Sequence, residues 1–465
     1  MTVAAEAIRA GLESLLARAA DGRRRVLVSH TVEVDIDDPV ATVFASRMAG
    51  DRWFAWEQPD RRFALAGLGS LYEAVSRGDS RFEDLARSCA RLLADRIASE
   101  PDALPAGAGP VWAGGFAFDG AGAGSPAWSS FPPALLVLPE LSLLREGDRT
   151  WLTLNAFAGA VIHPERELAR AARRLSALRS DPLPMLDPLP SAQAEIRNVA
   201  PPRAYEDAVA TAVERIRAGE LEKVVLAREV TVEAARAHDS AAVFGALREL
   251  FPACFCFCVG SPEGAFLGAS PELLIRRRGA SAATVALAGS TRRSADPAVD
   301  DHLGEQLLRS AKNREEHRIV AGRIARTLEP RSVWVEAEAE PGLVKVANIQ
   351  HLGTPVHAQL ADPLSAIELA GLLHPTPAVG GEPRDRALTT IAELEHLDRG
   401  WYAGPVGWMD AAEDGEFCVG LRSALLRDRM AHLIAGAGIV ADSDPEAELA
   451  ETELKLEALL PLLAG

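Results

Sequence analysis

Three stretches in the first 180 residues space their apolar side chains as helices do: Ala5 to Ala20, Ser80 to Ala98 and Glu165 to Leu178. The first has Glu6, Arg9, Glu13 and Arg18 spread through it and predicts an amphipathic helix. Strand-like runs such as WLTLNAFAGAVI from Trp151 are interleaved, with Gly- and Pro-rich turns between them. From Asp181 to Arg203 the periodicity gives way to a proline-rich segment that reads as a linker or an extended strap. Beyond it, Tyr205 to Gly219 predicts a helix ended by glycine, followed by the strand EKVVLAREVTVEA. Further apolar strands are expected at Gly264 to Arg276, Ala282 to Ala288, Trp401 to Met409, Glu416 to Leu426 and Met430 to Val440. Helices at Asp301 to Leu328 and Asp444 to Leu463 accompany this set. Strict βαβα alternation is missing and the turns are short, so antiparallel pairing is the simpler expectation.

Composition narrows the classes of function. The chain has 465 residues, with 49 Lys and Arg against 66 Asp and Glu, a formal charge of −17. That balance argues against a large nucleic-acid footprint and against docking on anionic lipid. The length allows about three domains at most, and 48% hydrophobic residues are enough to fill a substantial core. The charged N-terminal stretch lacks the apolar core of a signal peptide, and the run from Pro133 to Leu144, cut by Pro139 and Glu140, is too short to span a bilayer. Five cysteines without an export signal predict reduced thiols in a cytoplasmic protein.

Several motifs admit two readings each. The GAGAG run from Gly120 lacks nucleotide-binding spacing and reads as a flexible loop. The AGAG run from Ala435 sits inside an apolar strand, where missing side chains often mark close approach by a ligand or another backbone. Cys254, Cys256 and Cys258 alternate along a strand, so they line one face without converging on a point, as small buried hydrophobes do. Lys223 falls in a strand apolar on both faces; it is either a snorkelling edge lysine or a desolvated general base. Glu448 and Glu451, at i and i+3 after the capping signature Ser443-Asp444-Pro445, share a helical face with Lys455. That face is either solvated or, with Glu315 and Glu316 of AKNREEH, a set of oxygen ligands suited to Mg²⁺.

Taken in order, these segments resemble the chorismate-utilising enzymes. The resemblance rests on KVVLAREV at Lys223, GASPELL at Gly268, LAGSTRR at Leu287, AKNREEH at Ala311, IQHLGTP at Ile349, HPTPAVGGEP at His374, RGWYAGPVGW at Arg399, GLRSALL at Gly420 and AGAGIVADSDPEAELAETELK at Ala435. It implies an α+β fold of two large antiparallel sheets packed face to face with flanking helices. Residues 1–200 would form the N-terminal part and 201–465 the chorismate-binding catalytic part of one intertwined unit.

Within that family the residues look most like an isochorismate synthase, an isomerase that exchanges the C4 hydroxyl of chorismate for one at C2. The likeness implies Lys223 as general base, Glu272 as general acid and Glu316, Glu448 and Glu451 as Mg²⁺ ligands. It implies substrate contacts from Gly289, Ser290, His351, Ala378, Tyr402, Leu421, Arg422, Gly436 and Lys455. Ala378 stands where pyruvate-eliminating salicylate synthases carry threonine, which favours stopping at isochorismate. Menaquinone or siderophore biosynthesis would use the product. No glutaminase subunit is expected, and a monomer is the simplest assembly. The rival readings are a salicylate synthase and a non-catalytic chorismate-binding or scaffold subunit.

Overall fold

The computed structural model describes residues 2–19, 24–186, 194–346 and 349–464. Residues 187–193 of the proline-rich strap therefore lie outside the described residues. Among the described residues two large sheets dominate, with thirteen and ten strands. From one edge, the larger runs Glu195–Asn198, Lys223–Glu233, Met430–Ile439, Ser423–Arg427, Gly264–Ser270, Phe255–Ser261, Trp53–Gln58, Phe63–Leu68, Leu141–Glu146, Arg149–Ala158, Val26–Val34 and Ile97–Ser99. The short strand Gly381–Glu382 pairs beside Lys223. The smaller runs Ser332–Ala337, Ile349–Leu360, Ser281–Arg292, Leu273–Arg278, Gly415–Val419, Pro405–Asp410, Val111–Phe116, Ala134–Leu138 and Tyr72–Ser76, with Gly342–Lys345 beside Ile349–Leu360. Both sheets draw strands from either side of the proline-rich strap. The expected antiparallel pairing holds at every recorded pair except Val26–Val34 with Ile97–Ser99, which is parallel.

The sheets face each other across an aromatic core. Phe63 of the larger sheet stacks on Trp408 of the smaller with ring centroids 5.7 Å apart, and Phe257, Phe266 and Trp401 continue the cluster. Outside the larger sheet, helices Thr2–Ala19, Pro39–Ala45 and Ser240–Leu250 bury Leu12, Phe44 and Phe244. Cys254, Cys256 and Cys258 lie in that same apolar layer, all buried, as small hydrophobes. Among the described residues, no helix is long and apolar enough to cross a membrane.

Four predicted elements prove to be divided. The apolar run from Gly264 to Arg276 is two strands, Gly264–Ser270 and Leu273–Arg278, belonging to different sheets. Pro271 between them has no N–H to continue a ladder. The run from Glu416 to Leu426 divides in the same way after Val419, where Arg422 takes the left-handed conformation at φ 46°. These breaks are neighbours: Gly268 pairs with Ser423 in one sheet and Leu273 with Cys418 in the other. A paired ribbon thus passes from sheet to sheet with Glu272 and Arg422 at its bend. The helix expected over Asp301 to Leu328 breaks at Ser310, whose hydroxyl caps Ala311–Leu328 by accepting from the Asn313 N–H. That expected over Asp444 to Leu463 becomes Pro445–Leu456 and Leu460–Ala464. The strand expected from Trp401 begins only at Pro405, and the helix expected to reach Ala98 stops at Ala94 to release the strand Ile97–Ser99.

Candidate active site

Lys223 opens the strand Lys223–Glu233 between Gly381–Glu382 and Met430–Ile439. It is fully buried, which rules out the snorkelling reading. Its Nζ lies 2.9 Å from Glu316 Oε1, an ion pair without well-formed hydrogen-bond geometry. The glycine run explains how this pair fits inside a sheet. A Cβ on Gly438 would lie 2.3 Å from Glu316 Oε1 and 2.9 Å from Lys223 Cε. The AGAG strand therefore makes way for two side chains of its own protein.

Glu272 sits at the bend of the crossing ribbon and is buried. Burial pushes its carboxyl up to about 7, against the opposing pull of the Lys223, Arg422 and Lys455 charges. The Thr376 hydroxyl lies beside it, buried and without a well-aligned hydrogen bond. A carboxyl protonated near neutrality, with cations around it, can act as a proton donor.

The remaining carboxylates are carried by helices. Asp444 caps Pro445–Leu456 by accepting from the Ala447 N–H at 3.0 Å, and the following turns place Glu448 and Glu451 together. Glu448 is only 1% exposed, so the helical face is not the solvated one that spacing alone permits. Burial and the neighbouring Glu451 raise the Glu448 carboxyl. Burial would raise Glu451 too, but Lys455, Lys312 and the Ser290 hydroxyl hold it at about 2. Each of the three carboxylates closes on a lysine: Glu316 on Lys223 at 2.9 Å, Glu448 on Lys312 at 2.6 Å and Glu451 on Lys455 at 2.7 Å. Glu315 turns away to pair with Arg318 at the surface and leaves the set. No cage of three or more His, Cys, Asp or Glu is drawn together among the described residues. The donors themselves fit Mg²⁺: three carboxylates without His or Cys supply hard oxygens, and a divalent ion would replace lysine charge.

The implied substrate contacts gather around this core. Lys455 donates to the Gly436 carbonyl at 2.8 Å, and the Tyr402 hydroxyl engages the Gly436 backbone. Arg422 makes no side-chain hydrogen bond or ion pair among the described residues, so its guanidinium fork remains open to a planar anion. His351 pairs with Ser290 across a bulge that contains Gly289. Burial, followed by the Arg422 and Lys455 charges, lowers the His351 pKa to about 3, and its buried Nε2 has no partner among the described residues. Gly289 adopts φ 70°, and a side chain there would crowd Asn313. Leu421 lies on the crossing ribbon beside Arg422, and Ala378 follows Thr376 on the loop that bonds Val225 through the Gly380 carbonyl.

Three contributors escaped the sequence reading. Lys312 precedes Glu316 by four residues, one helical turn, and that spacing was its only signal. Thr376 lies in the quoted HPTPA motif, but nothing in the motif ties it to Glu272. Arg399, buried and paired with Glu395, donates to the Val379 and Val225 carbonyls at 2.9 and 2.8 Å and so pins the Ala378 loop to the Lys223 strand.

Comparison with known proteins identifies the family. The profile of the chorismate binding enzymes matches residues 14–464. The chain is 38% identical over 465 residues to the salicylate biosynthesis isochorismate synthase of Pseudomonas aeruginosa, covering 99% of this chain and 94% of that one. It is 32% identical over 456 residues to isochorismate synthase MenF of Bacillus subtilis, covering 97% and 96%. The solved structure of MenF, the menaquinone-specific isochorismate synthase from Escherichia coli, superposes with a TM-score of 0.80 at 29% identity, covering 98% of this chain and 99% of that one. The chain belongs to the chorismate-binding enzyme family.

Proposed function

We propose that this protein is an isochorismate synthase, a Mg²⁺-dependent isomerase that feeds menaquinone or siderophore biosynthesis. The observation that carries the reading is the enclosed Glu272 carboxyl, raised to about 7, within electrostatic reach of the buried Lys223. Adding water at one ring carbon and expelling the hydroxyl of another as water needs such a base and such an acid. The names of the relatives above point to the same reaction.

In this reading Lys223 takes a proton from the water that attacks C2. The ring double bonds shift, and the C4 oxygen departs as water after receiving the Glu272 proton. One water enters and one leaves, so the net change is an isomerisation. Arg422 and Lys455 orient the substrate carboxylates, and Tyr402, Gly436, Ser290 and His351 shape the wall around the ring. A magnesium ion held by Glu316, Glu448 and Glu451 would offset the charge of a substrate carboxylate.

The test is a product assay. Purified protein given chorismate and MgCl₂ should form isochorismate without releasing pyruvate. Stoichiometric pyruvate would replace the reading with salicylate synthase. Saturable chorismate binding without turnover would indicate a binding or scaffold subunit, and a requirement for ammonia an aminating enzyme.

A further inference from the structure

Lys312 is an unusual residue for its position. It lies in the first turn of the helix Ala311–Leu328, where the positive end of the helix dipole disfavours a cation. Its side chain is about one-third exposed, at 32%. It turns inward to Glu448 Oε1 at 2.6 Å, on the helical face that carries Glu316 one turn later. Burial alone would lower its pKa, but Glu448, Glu451 and Glu316 together raise it above the ordinary lysine value. Those are the three carboxylates assigned above to magnesium, and one ammonium feels all of them.

We infer that Lys312 is a tethered counter-ion: its ammonium holds the Glu448 carboxylate that the assignment above gives to magnesium, and a divalent ion must displace it to bind. The inference rests on the assignment of these carboxylates to Mg²⁺ and adds a competitor that the assignment does not require. Three buried carboxylates without cations would repel one another and resist desolvation, and a lysine offsets each of them. Lys223 and Lys455 are placed to serve the reaction, but Lys312 touches no group given a chemical role other than the metal ligands. It also has somewhere to go. Lys312 lines a surface cleft with Glu220, Glu222, Glu315 and Asp442, whose carboxylates can receive a displaced ammonium.

The measurement is calorimetric titration of MgCl₂ into EDTA-stripped, full-length protein, with wild type, Lys312→Met and Glu448→Gln compared. Removing a charge-assisted hydrogen bond from the competing state should tighten Mg²⁺ binding in Lys312→Met by about tenfold or more. The same variant should melt at lower temperature than wild type in EDTA and recover when Mg²⁺ is added. Should Lys312→Met fail to fold, Lys312→Gln keeps a donor to Glu448 without the charge and carries the same expectation. Unchanged or weaker Mg²⁺ binding in the lysine variants, with wild type binding normally and Glu448→Gln impaired, overturns the counter-ion role and leaves the metal assignment standing. Absence of Mg²⁺ binding in every protein, or unimpaired binding in Glu448→Gln, overturns the metal assignment and the inference with it.

Discussion

Replacing Glu272 with Gln should make this protein more stable and much less active, and the pH at which each effect appears follows from one carboxyl. The folded protein holds the Glu272 proton up to about pH 7, whereas an ordinary glutamate releases it near 4.5. Below pH 4.5 both the folded and the unfolded chain carry the proton, and the side chain costs nothing on this account. As pH rises from 4.5 to 7 the unfolded chain ionises first, and the folded state loses ground until its own carboxyl ionises. The interval from 4.5 to about 7, at 1.36 kcal/mol per pH unit, comes to about 3 kcal/mol of lost stability, complete above pH 7. Glutamine has nearly the same shape and no proton to lose, so Glu272→Gln should recover up to that amount at pH 8 and gain little at pH 4. Urea unfolding at the two pH values measures the difference. Loss of the general acid should lower kcat by about 10²- to 10⁴-fold. The same carboxyl gives wild-type kcat/KM a falling limb near pH 7, because the acid must be protonated. A variant that gains equally at pH 4 and pH 8, or a wild-type profile flat from pH 6 to 9, would refute the argument.

Other substitutions test the rest of the site. Lys223→Met should abolish isochorismate formation, a loss of about 10²-fold or more, while chorismate still binds by calorimetry; near-normal turnover would remove Lys223 as the base. Arg422→Lys should raise KM for chorismate by about tenfold, because a point charge cannot reproduce a two-pronged contact; an unchanged KM would count against its carboxylate role. Gly438→Ala puts a methyl group 2.3 Å from Glu316 Oε1 and should force the Lys223–Glu316 pair apart, with loss of activity that the neighbouring Ala437→Gly does not show.

Much of this was legible in the sequence because chemistry and spacing coincided. Lys223 in an apolar strand and the glycines of AGAG each announced a cost that something must offset, while the i, i+3 carboxylates were open to a solvated reading until burial decided against it. What stayed hidden were the interruptions. A single apolar run from Gly264 to Arg276 looks like one strand because both of its halves are buried, although they lie in different sheets. Periodicity reports that a residue is buried and does not report which layer covers it. The helix over Asp301 to Leu328 failed for a related reason: Ser310 is neutral in a composition window but decisive as a cap. Lys312 was missed because a lysine one turn from a glutamate is, in most helices, a surface pair.

The ribbon that crosses between the sheets also limits how this enzyme can move. Glu272 and Arg422 lie in adjacent strand breaks bridged on both sides of the bend, by Ala269 N–H to the Arg422 carbonyl at 3.1 Å and Val419 N–H to the Glu272 carbonyl at 3.0 Å. The backbone spacing beneath proton donor and anion clamp is held by these hydrogen bonds on both sides of the bend. A hinge at this bend would have to break both hydrogen bonds, which sets the ribbon against a rigid-body clamshell motion. Changes at the ribbon are then left to side chains, which move faster than domains do. Slow steps in turnover, if any are found, belong to those local rearrangements or to the chemistry itself.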